Sequence, residues 1–179
     1  MQTRHLLLIA SLAACATTAN PTESSTMSTD ANKQTIRRLY DECINPNRLD
    51  LLGDLVASDF VGPEGVHGPG GFGAGLTGLR AGFPDIHFTI DDLIAEGDRV
   101  TVRSTWHATH TGTFRGMAPT GKPVTNTSIA IYQLANHKLI HSWVESDRLG
   151  TLQQMGGLQQ MAGSQQVAGP PSTSVPQQR

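Results

Sequence analysis

Apolar residues recur at helical spacing in the first half of this chain and alternate with polar ones in the second. Ile36, Leu39, Tyr40 and Cys43 share one face of a helix expected over 30–44, with Ser28, Thr29 or Asp30 as candidate N-caps. "NPN" ends it, and "RLDLLGDLV" predicts a second, short helix with Leu51, Leu52, Leu55 and Val56 inward. Phe72, Leu76, Leu79 and Phe83 mark a third, stopped by Pro84, in a stretch whose glycines weaken helix formation. From Asp85 the period becomes two. "IHFTIDDLIA", "RVTVRSTWHATH", "VTNTSIAIYQLA" and "KLIHSWVESD" read as strands joined by "EGD", a Gly/Pro-rich loop and "NH". "RLGTLQQMG" closes the pattern as a short helix. Helices followed by a meander predict an α+β fold, a curved antiparallel sheet with the N-terminal helices packed on its concave side. A sheet this long must coil, and a helix across its hollow leaves a cone open at one end.

The two ends of the chain lack these periods. Residues 1–15, "MQTRHLLLIASLAAC", join a basic start to an apolar run too short to span a bilayer, which reads as a secretory signal. Its last four residues resemble a bacterial lipobox, in which Cys15 is lipidated and becomes the new N-terminus. Residues 16–29 are rich in Ser and Thr and read as a flexible tether. The domain is expected over 30–156. Residues 157–179, mostly Gln, Gly, Ser and Pro, lack the apolar content to fold. The expected location is the bacterial cell envelope, with the membrane reached only through the lipid; a start at Met27 would make the protein cytoplasmic.

Charge and motifs narrow the function classes. The 179 residues carry a net charge of −2, which leaves no electrostatic footprint for nucleic acid. "GAGLTG" matches a dinucleotide-binding pattern, but no strand precedes it. His107 and His110 point to opposite faces of a strand, and His137 and His141 lie about 13 Å apart along one, so neither pair is a preformed metal chelate. No metal and no cofactor is expected. With Cys15 carrying lipid, Cys43 is left as a small buried hydrophobe.

Thr109, His110, Gly112, Phe114, Gly116, Pro119, Thr120, Gly121 and Lys122 precede a strand, a turn, and then Trp143, Asp147, Leu152, Gln154 and Gly156. This pattern resembles the SnoaL-like polyketide cyclases, also called ester cyclases, of the nuclear transport factor 2-like (cystatin-like) superfamily. The resemblance extends over about Asn32 to Gly156. Two departures stand out: Ala118-Pro119 replaces the usual paired prolines, and His141 replaces an acid before the tryptophan. The family implies cofactor-free catalysis. A carboxylate removes a proton from a carbon beside carbonyl groups, and the enolate closes a ring by intramolecular aldol attack. It also implies a small, hydrophobic, carbonyl-bearing substrate and a homodimer formed through the sheet face.

The resemblance places the base at Asp147 and a second catalytic group at His110, with Trp143 lining the pocket from the same strand face as Asp147. Each position has a plainer reading. Aspartate before Arg148 is a favoured N-cap, and His110 on the apolar face of its strand reads as a hydrogen-bonded core residue. Tyr40 fits either the core or a substrate contact. Arg103, on the alternate face, fits either a solvated charge or a substrate contact. A non-catalytic envelope lipoprotein that binds a hydrophobic ligand is the alternative to the enzyme.

Overall fold

The computed structural model describes residues 21–157, with side chains from Thr29 onward. The lipobox, Cys15 and the C-terminal tail from residue 158 lie outside the described residues. Helix α1 spans Pro21–Arg38, beginning inside the stretch read as a tether, and passes into a π-helical turn over Leu39–Ile44. The predicted stripe is fully used, with Ile36, Leu39, Tyr40 and Cys43 all buried. The turn is closed by Asn45 and by Arg80, whose guanidinium donates to the carbonyls of Ile44 (2.6 Å) and Asn45 (2.9 Å).

A 3₁₀ turn (Leu49–Leu51) and one turn of α2 (Leu52–Leu55) follow. At Val56 the chain becomes extended. The segment Val56–Val61 is strand β1, where the sequence had suggested the end of a helix. Helix α3 spans Gly68–Gly82 despite its seven glycines, with Pro69 in its first turn. The "GAGLTG" stretch, residues 73–78, lies inside this helix and not at a turn between a strand and a helix N-terminus, so it cannot cradle a dinucleotide. The glycines at its C-terminal end answer a steric need. A Cβ on Gly82 would stand 2.6 Å from that of Phe114, and one on Gly112 would collide with the Ala81 carbonyl. Through this contact the 110–122 loop docks on α3, with Gly112 N–H donating to Gly82 O at 3.0 Å.

Strands β2 (His87–Glu96), β3 (Arg99–Thr109), β4 (Pro123–Ala135) and β5 (Lys138–Ser146) form the expected meander, and α4 (Arg148–Met155) follows. The sheet order is β1-β5-β4-β3-β2, with β1 added to β5 in parallel. β5 carries a bulge. Gln133 faces His141 and the next residue, Leu134, faces Leu139, so Ile140 is one residue too many for the ladder. The main core packs α1 and its π-helical extension onto Val100, Val102, Ala130 and Leu139, and a second cluster gathers Phe83, Trp106, Val124 and Met155.

Candidate functional site

A cavity of about 1120 Å³ fills the hollow of the sheet, lined from both core clusters. The π-helical turn supplies Tyr40 and Ile44, α3 supplies Phe72, Leu76 and Leu79, and the sheet supplies Phe88, Trp106, Ala130 and Val144. The 110–122 loop adds Phe114 and Met117, with Phe114 packed edge-on against Phe83 at 5.0 Å. This wall is apolar, as a small-molecule site requires.

Besides the inward Ser128, Ser142 and Ser146 and Arg115, polar groups of the lining form three sets. The Tyr40 and Tyr132 hydroxyls are hydrogen-bonded at 3.1 Å within the buried part of the lining. Burial pushes both phenols above their ordinary range; hydrogen bonds from Tyr132 and Ser104 partly offset this at Tyr40. Both are therefore protonated donors at neutral pH. Along the wall, the Asn126 amide donates to Thr151 Oγ1 (2.7 Å) and to the Asp147 carbonyl (2.8 Å), while its Oδ1 is buried with no partner among the described residues. Near α4, Arg148 binds Glu64 at 2.9 Å, and this hydrogen bond holds the Glu64 carboxyl below its usual range. Glu64 is the one carboxylate among the described residues lining the cavity.

A family model for SnoaL-like polyketide cyclase matches residues 34–155. This chain belongs to the SnoaL-like polyketide cyclase family. Among solved structures it resembles a protein described as a SnoaL-like polyketide cyclase from Jannaschia sp. CCS1, with a TM-score of 0.67 and 23% identity over 71% of this chain and 92% of that one. IdmH, a proposed polyketide cyclase from Streptomyces antibioticus, is 28% identical over 70% of this chain and 98% of its own, with a TM-score of 0.63. A proposed polyketide cyclase from Acidithiobacillus ferrooxidans is 27% identical over 71% and 92% of the respective chains, with a TM-score of 0.60. No match was found among curated proteins.

Within this SnoaL-like cone the sequence-predicted residues separate. Tyr40 lines the cavity. His110 lies outside the lining, fully buried against the Phe83 ring at 5.3 Å. Its Nδ1 meets Thr120 Oγ1 at 3.0 Å, its Nε2 has no partner among the described residues, and burial lowers its pKa. Its backbone ties both ends of the "PTGK" turn, since its N–H donates to Lys122 O and its carbonyl accepts from Thr120 and Gly121.

Asp147 is exposed. Its Oδ1 accepts the Gly150 N–H at 2.7 Å as the N-cap of α4, and it borders an open groove on the outer side with Arg103 and Glu145. Trp143 stands on that same outer face, its ring 4.1 Å from His141 and under the Arg99 guanidinium. Arg103 is likewise outside, paired with Asp92 (2.6 Å) and Asp91 (3.2 Å). The bulge explains these positions. Counting by twos inward from Leu139 would bring Trp143 and Asp147 into the cavity, but the extra Ile140 hands the inner face to Ser142, Val144 and Ser146.

Sequence reasoning missed Tyr132, Asn126, Ser128 and Glu64. Three of them sit at alternate positions of β4 between the buried Val124 and Leu134, and that row was their available signal. Among the described residues no three His, Cys, Asp or Glu side chains gather as a metal set.

Proposed function

We propose that this SnoaL-like protein is a cofactor-free cyclase-type enzyme that takes an apolar, carbonyl-bearing molecule into the cone. The supporting observation is the apolar cavity with a small set of inward hydroxyl and amide groups, in a chain of this family. The chemistry in this reading is enolisation by a carboxylate, followed by intramolecular aldol closure or isomerisation. Asp147 remains the base in the proposal, and to act it must release the Gly150 N–H and turn from the outer groove. His110 then acts by setting the 110–122 loop against the cavity rather than by touching substrate. Attachment to the envelope through Cys15 and pairing of two copies through the outer sheet face belong to the same proposal.

Asp147→Asn is the test. Asparagine keeps a side-chain oxygen for the cap but loses the ionisable carboxylate. Turnover of a β-keto ester should fall by roughly 10²–10⁴ while the melting temperature stays near wild type. A second reading is favoured by one observation: the cavity's own carboxylate, Glu64, is held by Arg148, and Asp147 faces away. In that reading the protein is a non-catalytic carrier of a small hydrophobic ligand. An Asp147→Asn variant with undiminished turnover would remove the proposed mechanism, and mass spectrometry of the protein purified from its host would identify the ligand carried.

A further inference from the structure

The inner face of the sheet carries a polar seam that packing alone does not require. Ser104, Ser128 and Ser146 stand in register across β3, β4 and β5. Ser104 Oγ and Ser128 Oγ are hydrogen-bonded at 3.0 Å, and Tyr40 and Tyr132 are joined at 3.1 Å. The phenol pair and the serine pair lie on the same inner side of the sheet, and Tyr40, Tyr132 and Ser128 line the cavity.

A hydroxyl brings one proton and two lone pairs. The two phenols bring two protons, and their one link uses one of them. Whichever way the bond runs, one proton is left over. Tyr40 and Tyr132 both line the cavity, so the pair can present that proton to a molecule inside. The direction of the link is free to reverse, which lets either phenol carry the spare donor.

We propose that this phenol pair is an oxygen-recognition subsite, from which Tyr40 or Tyr132 donates a hydrogen bond to a carbonyl oxygen of the bound molecule and holds it as negative charge develops. The inference rests on the proposed function for the carbonyl-bearing ligand. It adds where that carbonyl docks. The pair lends a hydrogen bond and gives up no proton; a proton taken from substrate carbon goes to the base. Donors already placed in a dry site need no reorganisation when charge appears. Burial keeps both phenols protonated, as the role requires.

The test uses two probes of nearly equal size, 2-acetylnaphthalene and 2-ethylnaphthalene, of which only the first has an oxygen. Wild type should bind the ketone about tenfold more tightly, the worth of one net hydrogen bond. The infrared C=O stretch of the bound ketone should lie below its frequency in hexane. The double variant Tyr40→Phe/Tyr132→Phe should bring the ketone down to the affinity of the hydrocarbon, leave the hydrocarbon unchanged and return the stretch toward the hexane value. Each single variant keeps one phenol with its proton and should move both readouts only part of the way, which serves if the double variant does not fold. Equal binding of the two probes by wild type would overturn the inference. So would equal weakening of both probes by the double variant, or a stretch that no variant moves. The readout is binding, so an Asp147→Asn result that removes the enzymatic mechanism leaves this outcome separately legible.

Discussion

The chain has two tryptophans, and the sheet separates them. Trp106, on β3, is 6% exposed, lines the cavity and packs against Phe83 at 5.2 Å. Trp143, on β5, is 44% exposed on the outer face among His141, Arg99 and the groove that Asp147 borders. The first is enclosed by carbon, the second by charged and polar neighbours. The inner face of the sheet thus keeps its polar groups uncharged, with the phenol and serine pairs hydrogen-bonded to one another. The outer face collects ion pairs such as Arg103 with Asp91 and Asp92. A carboxylate on the outer face retains water, so its reactivity depends on reaching the inner one.

The sharpest way to break this comparison is Trp106→Ala. Loss of a large buried ring should destabilise the fold by about 3–5 kcal/mol in chemical denaturation and abolish binding of the naphthalene probes. A loss below about 1 kcal/mol would mean that the inner face is not packed as described. Asp147→Ala comes next. It removes the Gly150 bond at the head of α4 and should cost about 0.5–2 kcal/mol, while Asp147→Asn stays near wild type.

The third prediction concerns pH. His110 is neutral when buried, and burial lowers its pKa from the ordinary value of 6.5. Its unfolded form takes up a proton near that value and its folded form only at lower pH. The unfolded state therefore binds more protons between the two, and its stability contribution, complete above pH 6.5, is lost as pH falls. Denaturation at pH 7 and pH 5.5 should show this loss in wild type and a flatter response in His110→Asn. Equal slopes would assign the acid sensitivity to other groups. Trp143→Ala should be the mildest change, at most about 1 kcal/mol for the loss of its contact with Arg99. Probe binding should be unaltered, and ligand quenching of tryptophan fluorescence should persist, because it arises from Trp106.

The helices and four strands of the meander were legible because their periods are long and regular: Ile36 to Cys43 by turns, Val100 to Ala108 by twos. Strand β1 was not, because six residues with an irregular burial pattern follow a helical run without a break. Its pairing with β5 depends on contacts that no local signal records. The Tyr40 stripe placed that residue inward and left core and substrate contact both open. Trp143 was expected at the pocket through the family resemblance, and the bulge at Ile140 sets it on the outer face instead. Asn126, Ser128 and Tyr132 were passed over for a reason of periodicity. Polar residues in alternation are ordinarily assigned to solvent, and a cavity wall reverses that rule.

The parallel pairing of β1 with β5 also bears on the order of folding. β2 to β5 are joined by neighbouring connections and can assemble as each emerges, whereas Val56 must await Leu139 from the far end of the domain. Closing so long a loop is entropically slow. α3 packs on β1, so the helix that walls the cavity arrives with this late strand. The nascent cone should therefore pass through a stage in which the meander exists and its hollow stands open, its apolar lining exposed to whatever binds such surfaces first.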